Sequence, residues 1–143
     1  MGTKTATLEL ASELRVALMR LTRRLRAERP DESVTLTQLS VLGSLERHGP
    51  MNLADLAAQE RVQPPSMTRT TTALEERGLL TRGSDPRDRR HVVFDLSDAG
   101  RLLLREDRRR REAWLAGQLD QLTADERALL HAVAPLLDRL ARA

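Results

Sequence analysis

Two adjacent prolines, Pro64 and Pro65, limit what this 143-residue chain can fold into more than any other pair of neighbours. Proline lacks a backbone N–H and clashes with the preceding turn, so it is excluded from a helix interior. In the first helical turn it is welcome, because N–H groups there have no intrahelical partner. A helix is therefore expected to open at these residues and to run to Gly78. Upstream, Asn52 is placed to cap a short helix with Leu53, Leu56 and Ala57 inward, and Val62 follows a brief break. The result is two short helices joined by a tight turn. In the second, Met67, Thr71 and Leu74 share one face by helical spacing, and Ser66, Arg69 and Ala73 lie toward the other.

The flanking segments read just as directly. Leu10, Leu14, Ala17, Leu18, Leu21 and Leu25 recur at intervals of three and four, a long first helix ending by Pro30. Thr35 with Gln38 forms a capping box for a helix over about residues 36–47 that buries Leu39, Leu42 and Leu45 and stops at Gly49 and Pro50. Past Gly78, residues 79–82 read as a short strand, and Val92, Phe94 and Leu96, alternating with His91, Val93 and Asp95, as its partner. Between them lies a Pro-containing tip with Arg87, Arg89 and Arg90 among Asp85 and Asp88. Ser97 caps a long fifth helix whose residues 105–112 carry no apolar side chain and are expected to bridge open solvent. Trp114, Leu115, Leu119 and Leu122 restore an apolar face. Thr123 with Glu126 is a second capping box, for a last helix bearing Leu129, Leu130, Val133, Leu136, Leu137 and Leu140, in which Pro135 is expected to produce a kink.

Composition narrows the function. No cysteine is present, so disulfides and thiol sensing are excluded, and no apolar stretch approaches the roughly 18 residues of a membrane span. The first residues lack a signal-peptide core, which makes a cytoplasmic location the expectation, with no membrane partner. Formal net charge is only +3, and of the 24 basic residues only Lys4 is a lysine. Where the arginines cluster therefore matters more than their number. Phe94 and Trp114 are the two aromatic residues, too few for base-stacking binders of single strands. His48, His91 and His131 stand in different elements without metal-ligand spacing, and no His or Lys neighbours Ser66 or Thr68 on the helix to activate a nucleophile. No catalytic residue, metal or cofactor is assigned. Met19, Met51 and Met67 read as core fillers.

What remains is a helix-turn-helix with a β-hairpin wing, whose second helix presents the side chains of its first turns to the major groove. Those side chains are Pro65, Ser66, Thr68, Arg69 and Thr72, with Arg69 suited to paired hydrogen bonds on guanine. A hairpin tip is slim enough to enter a narrow minor groove, whose negative potential attracts arginine. With three arginines and two aspartates at the tip, aim counts for more than bulk charge. Asp88 is placed to fix the guanidinium of Arg90, leaving Arg87 and Arg89 to phosphates. The four arginines 108–111 point four ways around a helix and are expected to face solvent or pair with Glu106, Asp107 and Glu112.

The stretch RVQPPSMTRTTTALEERGLLTRGSDPRDRRHVVFDLSDAG resembles the MarR family of winged-helix transcription regulators in its Leu-Glu-Glu-Arg-Gly-Leu-Leu helix end, its Asp-x-Arg wing tip and its Leu-Ser-x-x-Gly exit. The resemblance in architecture covers about residues 8–142. It implies a mainly α chain in a single unit, 1–143. A winged helix-turn-helix, a three-helix core plus β-hairpin wing, would occupy 36–98, with dimerisation helices over 8–29 and 99–142. It also implies an obligate homodimer that binds pseudo-palindromic double-stranded DNA, most often as a repressor released by a small phenolic or apolar effector. On this sequence the family's wing arginine falls at Arg90, its aspartate partner at Asp88, and its helix contacts at Pro65, Ser66, Thr68 and Arg69. Leu10, Leu14, Leu18, Trp114, Leu119, Leu130 and Leu137 are the dimerisation residues expected. The run Thr70, Thr71 and Thr72, Gln63 as a cap, and Pro135 depart from the family pattern. Competing readings are an architectural DNA binder without sequence preference and a winged fold serving protein contact.

Overall fold

A computed structural model describes residues 2–29 and 33–143. The chain forms two compact units, Arg29–Arg109 and a second made of Met1–Glu28 with Arg110–Ala143. Among the described residues, six helices and the wing hairpin follow in the order the sequence implies, and a short strand before the third helix completes a small antiparallel sheet.

In the unit Arg29–Arg109, α2 (Leu36–His48) opens with Thr35, whose hydroxyl accepts from the Gln38 N–H while the Gln38 side chain accepts from the Thr35 N–H, and it closes at Gly49 with φ 77. Met51 and Asn52 form β1, which pairs with Phe94 and Val93. Asn52 then caps α3 (Leu53–Glu60), and α4 (Pro64–Glu76) follows after Arg61, Val62 and Gln63. The fourth helix ends two residues before Gly78, because Gly78 takes positive φ and breaks the helical backbone there. β2 (Leu80–Ser84) and β3 (Val92–Leu96) make the wing, with β3 central in the order β1-β3-β2.

The core lies among α2, α3, α4 and the sheet. Leu42, Leu56, Met67 and Leu74 have no exposed surface. At about 1.5–3 kcal/mol for each buried side chain of this size, Met67 and Leu74 alone anchor the inner face of α4 firmly. Thr71, the third residue of that face, is equally buried, and its hydroxyl donates to the carbonyl oxygens of Met67 or Thr68, both at 3.1 Å. Thr68 and Thr70 bond back to Pro64 and Ser66 in the same way. The threonine run is thus accommodated by the helix's own carbonyls.

α5 (Asp98–Leu119) starts against the wing's root. The Ser97 N–H donates to the Leu79 carbonyl at 3.2 Å, and the Ser97 hydroxyl accepts from the Gly100 N–H and donates to the Gly78 carbonyl. Residues 105–112 do not all face solvent as expected: Asp107 is buried, and Arg108 is paired with Glu46 of α2. A polar stretch signals solvent only when its charges lack partners on a neighbouring helix, which the sequence does not reveal.

In the terminal unit, α1 (Gly2–Ala27) begins well before Leu10, since no proline interrupts residues 2–9 and periodicity marks only where apolar residues recur. The helix ends at Ala27, ahead of Pro30 as expected. α6 (Ala124–Ala141) carries the capping box of Thr123 and Glu126 and continues past Pro135. Arg127 closes the end of α5 by donating to the carbonyls of Leu119 and Leu122. No residue of α1 or α6 is buried, and Met19, expected to fill a core gap, is 55% exposed.

Candidate nucleic-acid interface

The first turn of α4 has an unusual backbone. Pro64 and Pro65 have no N–H to offer, while Ser66 and Met67 both donate to the Gln63 carbonyl, at 3.0 and 3.1 Å. Gln63 provides no side-chain cap. The polar surface of this helix end is therefore made of side chains. Pro65, Ser66, Thr68, Arg69 and Thr72 are all exposed, opposite the buried Met67, Thr71 and Leu74. Among the described residues, the Arg69 guanidinium has no hydrogen-bond or ion-pair partner, and all five of its N–H donors are free for an acceptor beyond the chain.

At the wing tip the backbone closes through Asp85 N–H to the His91 carbonyl at 2.9 Å and His91 N–H to the Asp88 carbonyl at 3.0 Å. Two aspartates organise the turn between. Asp85 accepts from the Arg87 N–H at 2.9 Å, and Asp88 Oδ1 accepts from the Arg90 N–H at 3.1 Å. Asp88 also grips the Arg90 guanidinium at both oxygens, Nε–H to Oδ1 at 3.1 Å and Nη2–H to Oδ2 at 3.2 Å. These side-chain bonds first, and the Arg90 backbone bond second, hold the Asp88 carboxyl below its ordinary pKa. Arg90 is aimed from within the turn yet its side chain is 90% exposed. Arg87 and Arg89 are exposed and make no side-chain bond among the described residues. His91 stands 3.4 Å from Asp88 Oδ2, on the oxygen that Arg90 also uses.

Sequence reasoning missed the link between helix and wing. Glu75, near the end of α4, accepts two hydrogen bonds from Arg82 of β2, from Nε–H at 3.2 Å and from Nη2–H at 2.8 Å. The Arg82 guanidinium in turn lies over the Phe94 ring, 5.2 Å from its centroid. Arg82 and Phe94 are direct partners in the β2–β3 register, so both side chains leave the same face of the sheet. Glu75 and Arg82 are seven residues apart across a turn, a separation that neither helical nor strand periodicity marks. The hydrogen bonds that Arg82 donates to Glu75, more than the charge of Glu75, raise the Arg82 pKa above its ordinary value.

In the winged unit, Leu45, Pro50 and Leu96 floor a cleft of about 340 Å³ rimmed by Arg101, Arg105 and Arg108 with Glu46 and Asp95. In the terminal unit, Leu10, Leu18 and Leu130 are 55%, 38% and 48% exposed, while Leu14, Trp114, Leu119 and Leu137 are half-buried. Trp114 carries the Arg24 guanidinium 4.9 Å above its ring. Of the arginine run, Arg109 pairs with Glu106 as its spacing suggests, whereas Arg108 takes Glu46.

The sequence profile of the MarR family matches residues 34–92, which span α2 through the wing tip. The uncharacterized HTH-type transcriptional regulator Mb0904 of Mycobacterium bovis is 43% identical over 128 residues, 90% of each chain. The HTH-type transcriptional repressor MdtR of Bacillus subtilis is 31% identical over 82% of this chain and 79% of its own. A solved structure from Pseudomonas aeruginosa PA01 superposes with a TM-score of 0.86 at 39% identity, covering 96% of this chain and 97% of that one.

Proposed function

This chain belongs to the MarR family and is a DNA-binding transcription regulator, and on that premise we propose that it acts as a homodimeric repressor. In this reading it recognises an inverted repeat in double-stranded DNA and is released by a small apolar or phenolic molecule. The observation that carries the reading is the pair of arginines prepared in two different ways within one unit: Arg69 unpartnered on the outer face of α4, and Arg90 aimed by Asp88 at the wing tip. A guanidinium free to form two bonds suits a base edge in the major groove, and one fixed on a slim hairpin suits the minor groove beside it. Pro65, Ser66, Thr68 and Thr72 would frame the first contact, and Arg87 and Arg89 would meet phosphates.

The dimer reading is supported by the leucines of α1 and α6 that the chain leaves uncovered, since apolar surface of this kind is stabilised when a second copy buries it. The repressor reading follows the name of the Bacillus subtilis relative. The effector reading is supported by the cleft beside α5, large enough for a small molecule, where Leu45, Pro50 and Leu96 meet three guanidinium groups and the carboxylates of Glu46 and Asp95.

The test is selection of duplexes from a random pool at about 150 mM salt, beside an Arg90→Ala variant, because electrostatic affinity varies steeply with salt. An inverted repeat with half-site centres about 10 base pairs apart is expected, weakened in the variant. Retention of duplex without an enriched sequence would favour the architectural reading, and no retention would favour protein contact.

A further inference from the structure

Three residues of the winged unit take positive φ among the described residues, and each ends a helix or its last turn. Two are glycines, Gly49 at 77 and Gly78 at 71. The third is Arg61, at φ 54 and ψ 43, closing α3 with its N–H bonded to the carbonyls of Ala57 and Ala58. Glycine takes the left-handed region without penalty and asparagine with little, whereas a long side chain is held there at a cost of order 1 kcal/mol. The backbone does not need arginine at this position, so the side chain is what the position keeps.

That side chain has no partner inside the chain. Arg61 is exposed, and among the described residues it makes no side-chain hydrogen bond or ion pair. Its neighbour Glu60 is occupied elsewhere, with one carboxylate oxygen accepting from the Ser40 hydroxyl at 2.7 Å and the other from Ser44 at 2.6 Å. Arg61 also precedes by three residues the helix end that faces DNA in the reading above, on which this inference rests. Three residues span at most about 10 Å, comparable with the roughly 12 Å width of the major groove between its bounding phosphates.

The start of α4 has few donors of its own to offer a phosphate. A helix N-terminus ordinarily holds a phosphate on its free N–H groups. Here two are absent, at Pro64 and Pro65, and the next two are already bonded to Gln63. We propose that Arg61 replaces those missing donors by contacting a DNA phosphate at the edge of the groove that α4 enters.

The test compares the parent with Arg61→Asn and Arg61→Lys, measuring affinity for the selected duplex and for a random duplex across a series of salt concentrations, with thermal unfolding alongside. Asparagine accepts the left-handed backbone, so Arg61→Asn is expected to unfold no earlier than the parent. It should bind both duplexes more weakly by the same factor and show a shallower salt dependence, by about 0.9 in slope for each Arg61 lost. The same slope implies about a fivefold loss per copy at about 150 mM salt. Arg61→Lys, with the charge retained, should keep the parental slope. An unchanged slope in Arg61→Asn, or a loss confined to the selected duplex, would overturn the phosphate contact. A parent that binds no duplex at any salt would overturn the DNA reading together with it, and the two failures are thereby distinct.

Discussion

Gly43 and Gly100 both lie in helices, yet replacing each by alanine is expected to change stability in opposite directions. In the interior of α2, a Cβ on Gly43 would meet only the guanidinium end of Arg47, at 3.4 Å, which can swing away. Relief from glycine's conformational entropy should then stabilise the fold by about 0.5–1 kcal/mol. At the start of α5 the obstacle is different. A Cβ on Gly100 would overlap the Leu79 carbonyl oxygen and lie 3.3 Å from both the carbonyl carbon and the Leu96 side chain. A backbone carbonyl has no rotamer to escape into, so the helix must back away from the wing's root. Overpacking of this kind costs about 1–3 kcal/mol, and weakening the Ser97 N–H bond to the same carbonyl adds about 0.5–1.5 kcal/mol. Subtracting about 1 kcal/mol of helix propensity leaves a net loss of about 0.5–3.5 kcal/mol. Unfolding midpoints should be compared at one protomer concentration, because on the dimer reading they depend on concentration. At roughly 2–4 °C per kcal/mol, Gly100→Ala should fall by several degrees while Gly43→Ala rises slightly. A Gly100→Ala protein as stable as the parent would show that α5 does not approach the Leu79 carbonyl this closely.

Three other substitutions address the interface and its support. Arg69→Ala should lose about 1–3 kcal/mol on the preferred duplex and relax the base preference at one position per half-site, visible as degeneracy there in a repeated selection; an equal loss on every sequence would reassign Arg69 to phosphate. Asp88→Asn removes the anion that aims Arg90, and since Arg90 must then be ordered on binding, affinity should drop about two- to tenfold with little change in unfolding midpoint, as read by fluorescence anisotropy. Because the Asp88 pKa is lowered in the folded chain, this pair contributes above the ordinary carboxylate range and is lost only as pH falls through the lowered value. Affinity in the parent should therefore show no Asp88-dependent change between about pH 6 and 8. Thr71→Val keeps the shape of a buried side chain whose hydroxyl bonds only carbonyls of its own helix, so it should be neutral or stabilising by up to about 1 kcal/mol; a large loss in denaturant midpoint would show that the hydroxyl has a further role.

Much of this was legible because the decisive signals are local. Pro64 and Pro65 open α4, the capping boxes at Thr35 and Thr123 open α2 and α6, and each acts over three or four residues. The Asp88–Arg90 pair was legible for the same reason, since the two residues share one turn. What escaped notice depends on contacts across the fold. β1 is two residues long, too short to show alternation, and exists only because β3 offers it partners. The Glu46–Arg108 pair joins residues 62 apart, and burial of Asp107 follows from what packs beside it. Arg61 lay at the edge of a recognisable turn, but only its φ sets it apart from the other exposed arginines.

The contact between Glu75 and Arg82 bears on how such a protein can be switched. A helix in one groove and a hairpin in the next read DNA together only if their separation is fixed, and here the tie is made from both sides: α4 supplies the carboxylate, and β3 supplies the ring under the same guanidinium. Arg82 is protonated at any pH near neutrality, and Glu75 raises its pKa further, so loss of the guanidinium proton cannot loosen the tie. The Ser97 hydroxyl, bonded to the Gly78 carbonyl, secures the other end of the same hairpin. A ligand that detached the wing from α4 would have to break these contacts together with the core packing of Phe94 and Leu74. Changing the spacing between the two winged units of a dimer breaks none of them. On the dimer and effector readings together, that spacing is the coordinate on which a ligand would act, and release should leave the Glu75–Arg82 contact intact in the ligand-bound form.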